Sequence, residues 1–290
     1  MTKEFDEKWW SLSAVLQVAD NEDLDILVEH LTDKGNGRNT LSKVHFEQLM
    51  ACRKAKVYGR SDRNLIAEEI RLFGGNSIVN AMRGGEGAAY QEIVGDAAKH
   101  LKLDVHGSER ASSVETQILR RLFLDALDAM HDDQRRATLL NVGLGDLPGT
   151  KRAEVASALR AAPLHGDVRL NVAAFVADST ATSVLGRGIV VGAKVGLAPT
   201  LAGSLALGTA FIPLALVFGV AALASAAYRV TVPCVIQVAY IRHKAYHKLE
   251  AGGTLDVVGA AAVSEKKPWM PPAPEIKIPD IKFPALRIKL

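Results

Sequence analysis

The densest gathering of residues with chemical potential lies between positions 69 and 103, in EIRLFGGNSIVNAMRGGEGAAYQEIVGDAAKHLKL. Glycine pairs at Gly74-Gly75 and Gly84-Gly85 bracket a stretch in which Asn76, Asn80 and Arg83 share one helical face at i, i+4 and i+7. Glu92, Asp96 and His100 follow at i, i+4 and i+8 on the next helix. An arginine meeting two carboxylates across a turn would form an ion-pair network that fixes the helix angle, or else a polar recognition face. Carboxylates with an imidazole also suit zinc or iron, but three ligands on one helix face need partners from elsewhere. His243 and His247 repeat the i, i+4 ligand spacing without the glutamate of an HExxH zinc motif. They read better as part of a basic face in which Arg242, Lys244 and Lys248 lie against a membrane surface beside an apolar segment. The expectation is no metal and no cofactor.

Other catalytic signatures are missing. There is no GxSxG, P-loop or GxGxxG fingerprint in strand-to-helix context, and neither Cys52 nor Cys234 sits in a nucleophile motif. A non-enzymatic protein follows as the expectation. Two cysteines so far apart make neither a disulfide framework nor a CxxC site, and the acidic, aromatic start MTKEFDEKWW is unlike a secretory leader, which points to the cytoplasm. The 35 basic and 32 acidic residues are too evenly balanced for a dedicated nucleic-acid binder. Their distribution is lopsided: residues 1–160 hold 22 basic and 25 acidic side chains, leaving 13 and 7 for the remainder.

The elements that must carry these residues read as helices throughout. Asn21 is positioned to cap a helix bearing Leu24, Ile26, Leu27 and Leu31; Ser42 starts another that buries Val44, Phe46 and Leu49 or Met50. Ser61 can cap a third, with Leu65, Ile66, Ile70 and Phe73 at helical spacing. Ser112 and Glu115 match a capping box ahead of Val114, Ile118, Leu119, Leu122, Phe123 and Leu127, and a further helix spans about 151–161. No strand-like alternation occurs before the last 20 residues, so the fold class is all-α.

The later chain changes character. Residues 195–228 carry no charge and contain Pro199 and Pro213, and Gly188, Gly192 and Gly196 line one helix face ahead of them. A buried Gly/Ala-rich helical hairpin is the first reading. Membrane-surface association and a permanent span stay open, since this diluted stretch would insert only marginally. Six of the 11 prolines fall after position 264, in a tail whose five-residue units offer Ile276, Ile278, Ile281 and Phe283 to a partner. Four segments result: an N-terminal helical segment, 1–58; a central helical domain, 59–165; the apolar helical hairpin, 166–250; and a linker with an extended Pro-rich tail, 251–290.

The blocks LSAVLQVADNEDLDILVEHLTDKGNGRNTLS, IRLFGGNSIVNAMRGGEGAAYQEIVGDAAKHLKL and TSVLGRGIVVGAKVG, with AYRVTVPCVIQVAYIRH, resemble the successive blocks of YaaW-like proteins over most of residues 11–245. That family is identified with JukA, the sensor of the jumbo phage killer defence system. The resemblance implies a non-enzymatic sensor and adaptor. Such a protein recognises an early jumbo-phage protein at the lipid vesicle around the injected genome and recruits a pore-forming-toxin-like effector. It places Gly74, Gly75, Asn76, Asn80, Arg83, Gly84, Tyr90, Glu92 and Asp96 in the shared core. An older grouping with ubiquinol-cytochrome c chaperones implies the alternative, a membrane-associated assembly chaperone. The expected partners are the phage protein, the effector and a membrane or vesicle surface, with no nucleic acid.

Overall fold

The computed structural model describes residues 11–36, 41–74, 87–162, 166–185, 228–255 and 257. Among them every regular element is a helix: α1 Leu12–Gln17, α2 Asn21–Leu31, α3 Lys43–Ala55, α4 Arg60–Gly74, α5 Tyr90–His100, α6 Ala111–Asp128, α7 Asp132–Asn141, α8 Arg152–Ala161, α9 Asp167–Leu185 and α10 Tyr228–Glu250. The all-α expectation holds for these residues. Asn76, Asn80, Arg83, most of the charge-free stretch, the glycine stripe and the tail residues Ile276, Ile278, Ile281 and Phe283 lie outside them.

The architecture follows from the composition of α10. Its residues from Val230 to His243 are buried without a break, which happens only when a helix is covered on all sides. Helices α1, α2, α4, α5, α6 and α9 supply that cover, and α9 packs along it most extensively. Helices α9 and α10, both from the 166–250 segment, therefore lie together inside the bundle. One apolar core joins Leu12 in α1 to Ile241 in α10 and draws on residues from three of the four sequence segments. Within it Phe123 of α6 meets Phe175 of α9 edge-on, with ring centroids 5.4 Å apart. Such a pair adds about 0.5–1.5 kcal/mol beyond the area it buries. No helix among the described residues is long and apolar enough to cross a membrane.

Several helix starts differ from the sequence reading by a residue or more, for local reasons. Asp20, not Asn21, is the N-cap of α2; the Asn21 side chain donates to the Lys56 carbonyl oxygen instead. Ser61 lies inside α4, where the neighbouring Asp62 carboxylate accepts from the Gly59 amide. Arg110 occupies the N-cap position of α6, so Ser112 and Glu115 form no capping box. Ser42 does cap α3, accepting from the His45 amide at 3.1 Å. Of the positions expected to be buried on α3, Leu49 is and Val44 is half exposed.

The N-terminal helices are held by buried polar groups as much as by the apolar core. Arg63 of α4 is 3% exposed and donates to the carbonyl oxygens of Leu16, Ala19 and Tyr58 at 2.6–3.1 Å. It thereby satisfies the chain end of α1, whose last carbonyls have no intrahelical partner. Burial lowers its guanidinium pKa, an effect that nearby Asp20 and Asp62 oppose. Hydrogen bonds to a charged group contribute about 1.5–3 kcal/mol each, and stranded buried acceptors add a further loss. Arg63→Ala is expected to destabilise the protein by at least about 3 kcal/mol in urea unfolding. Arg63→Lys restores only part, because one ammonium cannot reproduce the guanidinium fork.

Candidate functional site

The glycine-rich segment singled out by sequence leaves the described residues after Gly74 and returns at Gly87, and its two flanks are fastened to each other. The Ala88 amide donates to the Arg71 carbonyl oxygen at 3.1 Å. The Arg71 side chain reaches back, with Nε donating to Ala88 O and Nη2 to Gly87 O, both at 3.2 Å. Gly87 is required by this approach: a Cβ there would lie 2.5 Å from the Arg71 carbonyl carbon. Arg71 and Gly87–Ala88, the described residues on either side of the block with Asn76, Asn80 and Arg83, are thus clamped together.

Just beyond the clamp, α5 is pinned into the core by its first residue. Tyr90 is buried, and its hydroxyl donates to Glu115 Oε1 at 2.7 Å. The other side of that carboxylate is taken by Arg242 of α10, with Nε donating to Oε2 at 2.6 Å and Nη2 to Oε1 at 3.1 Å. Both side chains of the ion pair are almost completely enclosed, at 3% and 1% exposure. Burial works against the Arg242 charge, but the Glu115 carboxylate outweighs it and raises the guanidinium above its ordinary pKa. Burial, reinforced by Glu115, pushes the Tyr90 phenol well above its usual value. Tyr90 therefore stays a neutral donor near neutral pH, and the trio acts as a fixed pin.

These positions correct the basic-face reading. Arg242 is inside the bundle, because α10 has protein on every side at that level. Lys244 is turned to Asp20 and Asp23 of the acidic N-terminal region, at 2.6 and 2.8 Å. Of the three cations expected at a membrane surface, Lys248 alone is exposed. His247 lies 2.5 Å from Asp167, and His243 is buried, with Nε2 3.4 Å from the Thr116 hydroxyl.

On α5 itself, Ile93, Val94, Ala97 and Ala98 face the core, leaving Glu92 exposed and Asp96 half exposed beside Lys99 at 3.5 Å. The His100 ring stacks on Tyr228 with centroids 3.7 Å apart, which ties the far end of α5 to the start of α10. Among the described residues no group of three His, Cys, Asp or Glu is placed to hold a metal ion. The Cys52 thiol is pushed up to about 12 by burial and by Asp62, and so it is no nucleophile at neutral pH.

Glu115 is the residue that sequence reasoning misassigned, and a signal was present. It belongs to the apolar stripe of Ile118, Leu119 and Leu122 at i, i+3, i+4 and i+7, where a carboxylate demands a buried cation. Arg242 likewise follows Val235, Val238 and Ala239 on one face of α10. Sequence could flag both charges as buried but could not pair them across 127 residues.

The chain is 34% identical over 185 residues to a UPF0174 protein of Helicobacter pylori strain J99, a match covering 62% of this chain and 87% of that protein. A second UPF0174 protein of that strain is 27% identical over 219 residues, 74% of this chain and 85% of the relative. The UPF0174 protein YaaW of Escherichia coli K12 is 28% identical over 231 residues, 78% of this chain and 91% of the relative. No protein-family model and no solved structure matches.

Glu115→Ala removes the carboxylate that offsets the enclosed Arg242 charge, so it is expected to cost about 3–5 kcal/mol in urea unfolding. The double variant Glu115→Leu with Arg242→Met removes both charges and should recover most of that loss. A double variant no more stable than Glu115→Ala would show that the pair does not act as a unit.

Proposed function

The chain belongs to the UPF0174 family, and from its resemblance to YaaW-like proteins we propose that it is a non-enzymatic sensor and adaptor of anti-phage defence. In this reading it recognises an early jumbo-phage protein at the lipid vesicle enclosing the injected genome and recruits a pore-forming-toxin-like effector. It acts in the cytoplasm and meets the vesicle surface peripherally.

The mounting of the family block carries the proposal. The described flanks of that block are clamped together by Arg71 on Gly87 and Ala88, and α5 is held by Tyr90 on Glu115. The exposed Glu92 and half-exposed Asp96 lie on this fixed helix, and a recognition face carried on a rigid element binds a partner at a lower entropic cost. The buried polar groups at its base bond to one another and are spent on positioning.

In the native host, deleting the gene should raise plaquing by nucleus-forming jumbo phages, and the wild-type gene should restore protection. A Glu92→Ala, Asp96→Ala double variant should fold normally, because surface changes of this kind stay within about 0.5 kcal/mol each, yet fail to restore protection. Plaquing that is indifferent to the deletion sinks the sensor reading. Full rescue by the double variant removes this face from recognition.

A further inference from the structure

Helix α3 is held to the bundle more by polar groups than by apolar ones. It packs on α2 and α4, and of its 13 residues Leu49 alone is buried, whereas α10 is buried without a break from Val230 to His243. His45, Gln48, Leu49, Cys52 and Arg53, with Lys56 at the C-cap, follow one another at i, i+3, i+4, i+7, i+8 and i+11, the spacing of a single helix face. Such a face is ordinarily apolar where it meets a core. Here four of the six positions are polar or basic. Away from that face Lys43, Val44, Glu47, Ala51, Lys54 and Ala55 are exposed.

The surface that receives this face is a row of carboxylates. Glu69 lies 2.5 Å from His45 Nδ1, and Asp62 accepts from the Gln48 side-chain amide at 2.8 Å. Glu29 pairs with Arg53, and Asp25 pairs with Lys56. Asp25 and Glu29 are one turn apart on α2, and Asp62 and Glu69 are two turns apart on α4. The Glu69, Glu29 and Asp25 side chains are only 2–9% exposed. Enclosed carboxylates need a cation or a donor at each position, so this surface favours a helix that carries basic residues at matching spacing and penalises an apolar one. A hold made of one leucine and four polar ties also opens more readily than the apolar core does.

We propose that the α2–α4 surface lined by Asp25, Glu29, Asp62 and Glu69 is a docking site for a basic amphipathic helix, occupied in cis by α3, which a partner's helix of the same charge pattern displaces. The seated α3 defines the chemistry of that partner. It has an apolar residue at the centre, Leu49, with a basic residue one turn to either side, His45 and Arg53, and another beyond, Lys56. The docking site shares no residue with the face on α5 and stands whether or not the sensor reading does.

Hydrogen exchange of the full-length protein reads the release of α3. Its amides should exchange at least about a hundredfold faster than those of α10, through an opening separate from global unfolding. A fluorescent peptide of residues 41–58 is the probe for the docking site. Leu49→Ala and Arg53→Gln in the protein weaken the cis hold, and each should tighten peptide binding about tenfold, in proportion to the open fraction. Adding Glu29→Gln and Glu69→Gln to Leu49→Ala should abolish that gain, with unchanged exchange of α10 showing that the bundle stays folded. A peptide carrying His45→Glu, Arg53→Glu and Lys56→Glu should not bind, which tests the same charge pattern on a protein whose carboxylates are intact. Exchange of α3 only together with α10 overturns the proposal. So does an absence of peptide binding, binding that Leu49→Ala leaves unchanged, or equal binding of the charge-reversed peptide.

Discussion

A guanidinium enclosed at the centre of a helical bundle has to be neutralised where it stands, and the ion pair of Arg242 with Glu115 is the constraint around which the remaining structure is organised. It fixes the rotation of α10 against α6, because only one face of each helix can supply the charge. Tyr90 completes the satisfaction of the carboxylate and so sets where α5 begins. The clamp of Arg71 on Gly87 and Ala88 then ties α4 to the residues that lead into α5. A buried pair of this kind adds little to net stability compared with apolar residues of the same shape, but it makes alternative packings expensive.

The same logic extends outward along the acidic N-terminal region. Helix α2 is buried over nearly all its length although it carries Asp23, Asp25 and Glu29. Each carboxylate meets a partner from another element: Asp23 meets Lys244, Asp25 meets Lys56 and the Tyr58 hydroxyl, and Glu29 meets Arg53. The lopsided charge distribution of the sequence is thus partly consumed inside the fold. Cations of the basic C-terminal half, Arg242 and Lys244 among them, serve as counter-ions to the acidic half.

Not every buried cation is matched by a carboxylate. Arg63 and Arg71 instead donate to backbone carbonyl oxygens and so fasten chain segments to one another.

The sequence by itself determined the helical class, the existence and approximate limits of helices such as α3 and α8, and the family block with its glycine breaks. Periodicity, capping chemistry and the order of residue types are local properties, legible without neighbours. It could not determine the role of Glu115, whose spacing from Ser112 imitates a capping box, or that of Arg242, which imitates a membrane-facing cation. Nor did it reveal that Lys244 turns toward Asp20 and Asp23. Those outcomes depend on which helix faces meet across more than a hundred residues. Only the tertiary structure decides that, because a buried charge is stable solely where packing brings it a counter-charge.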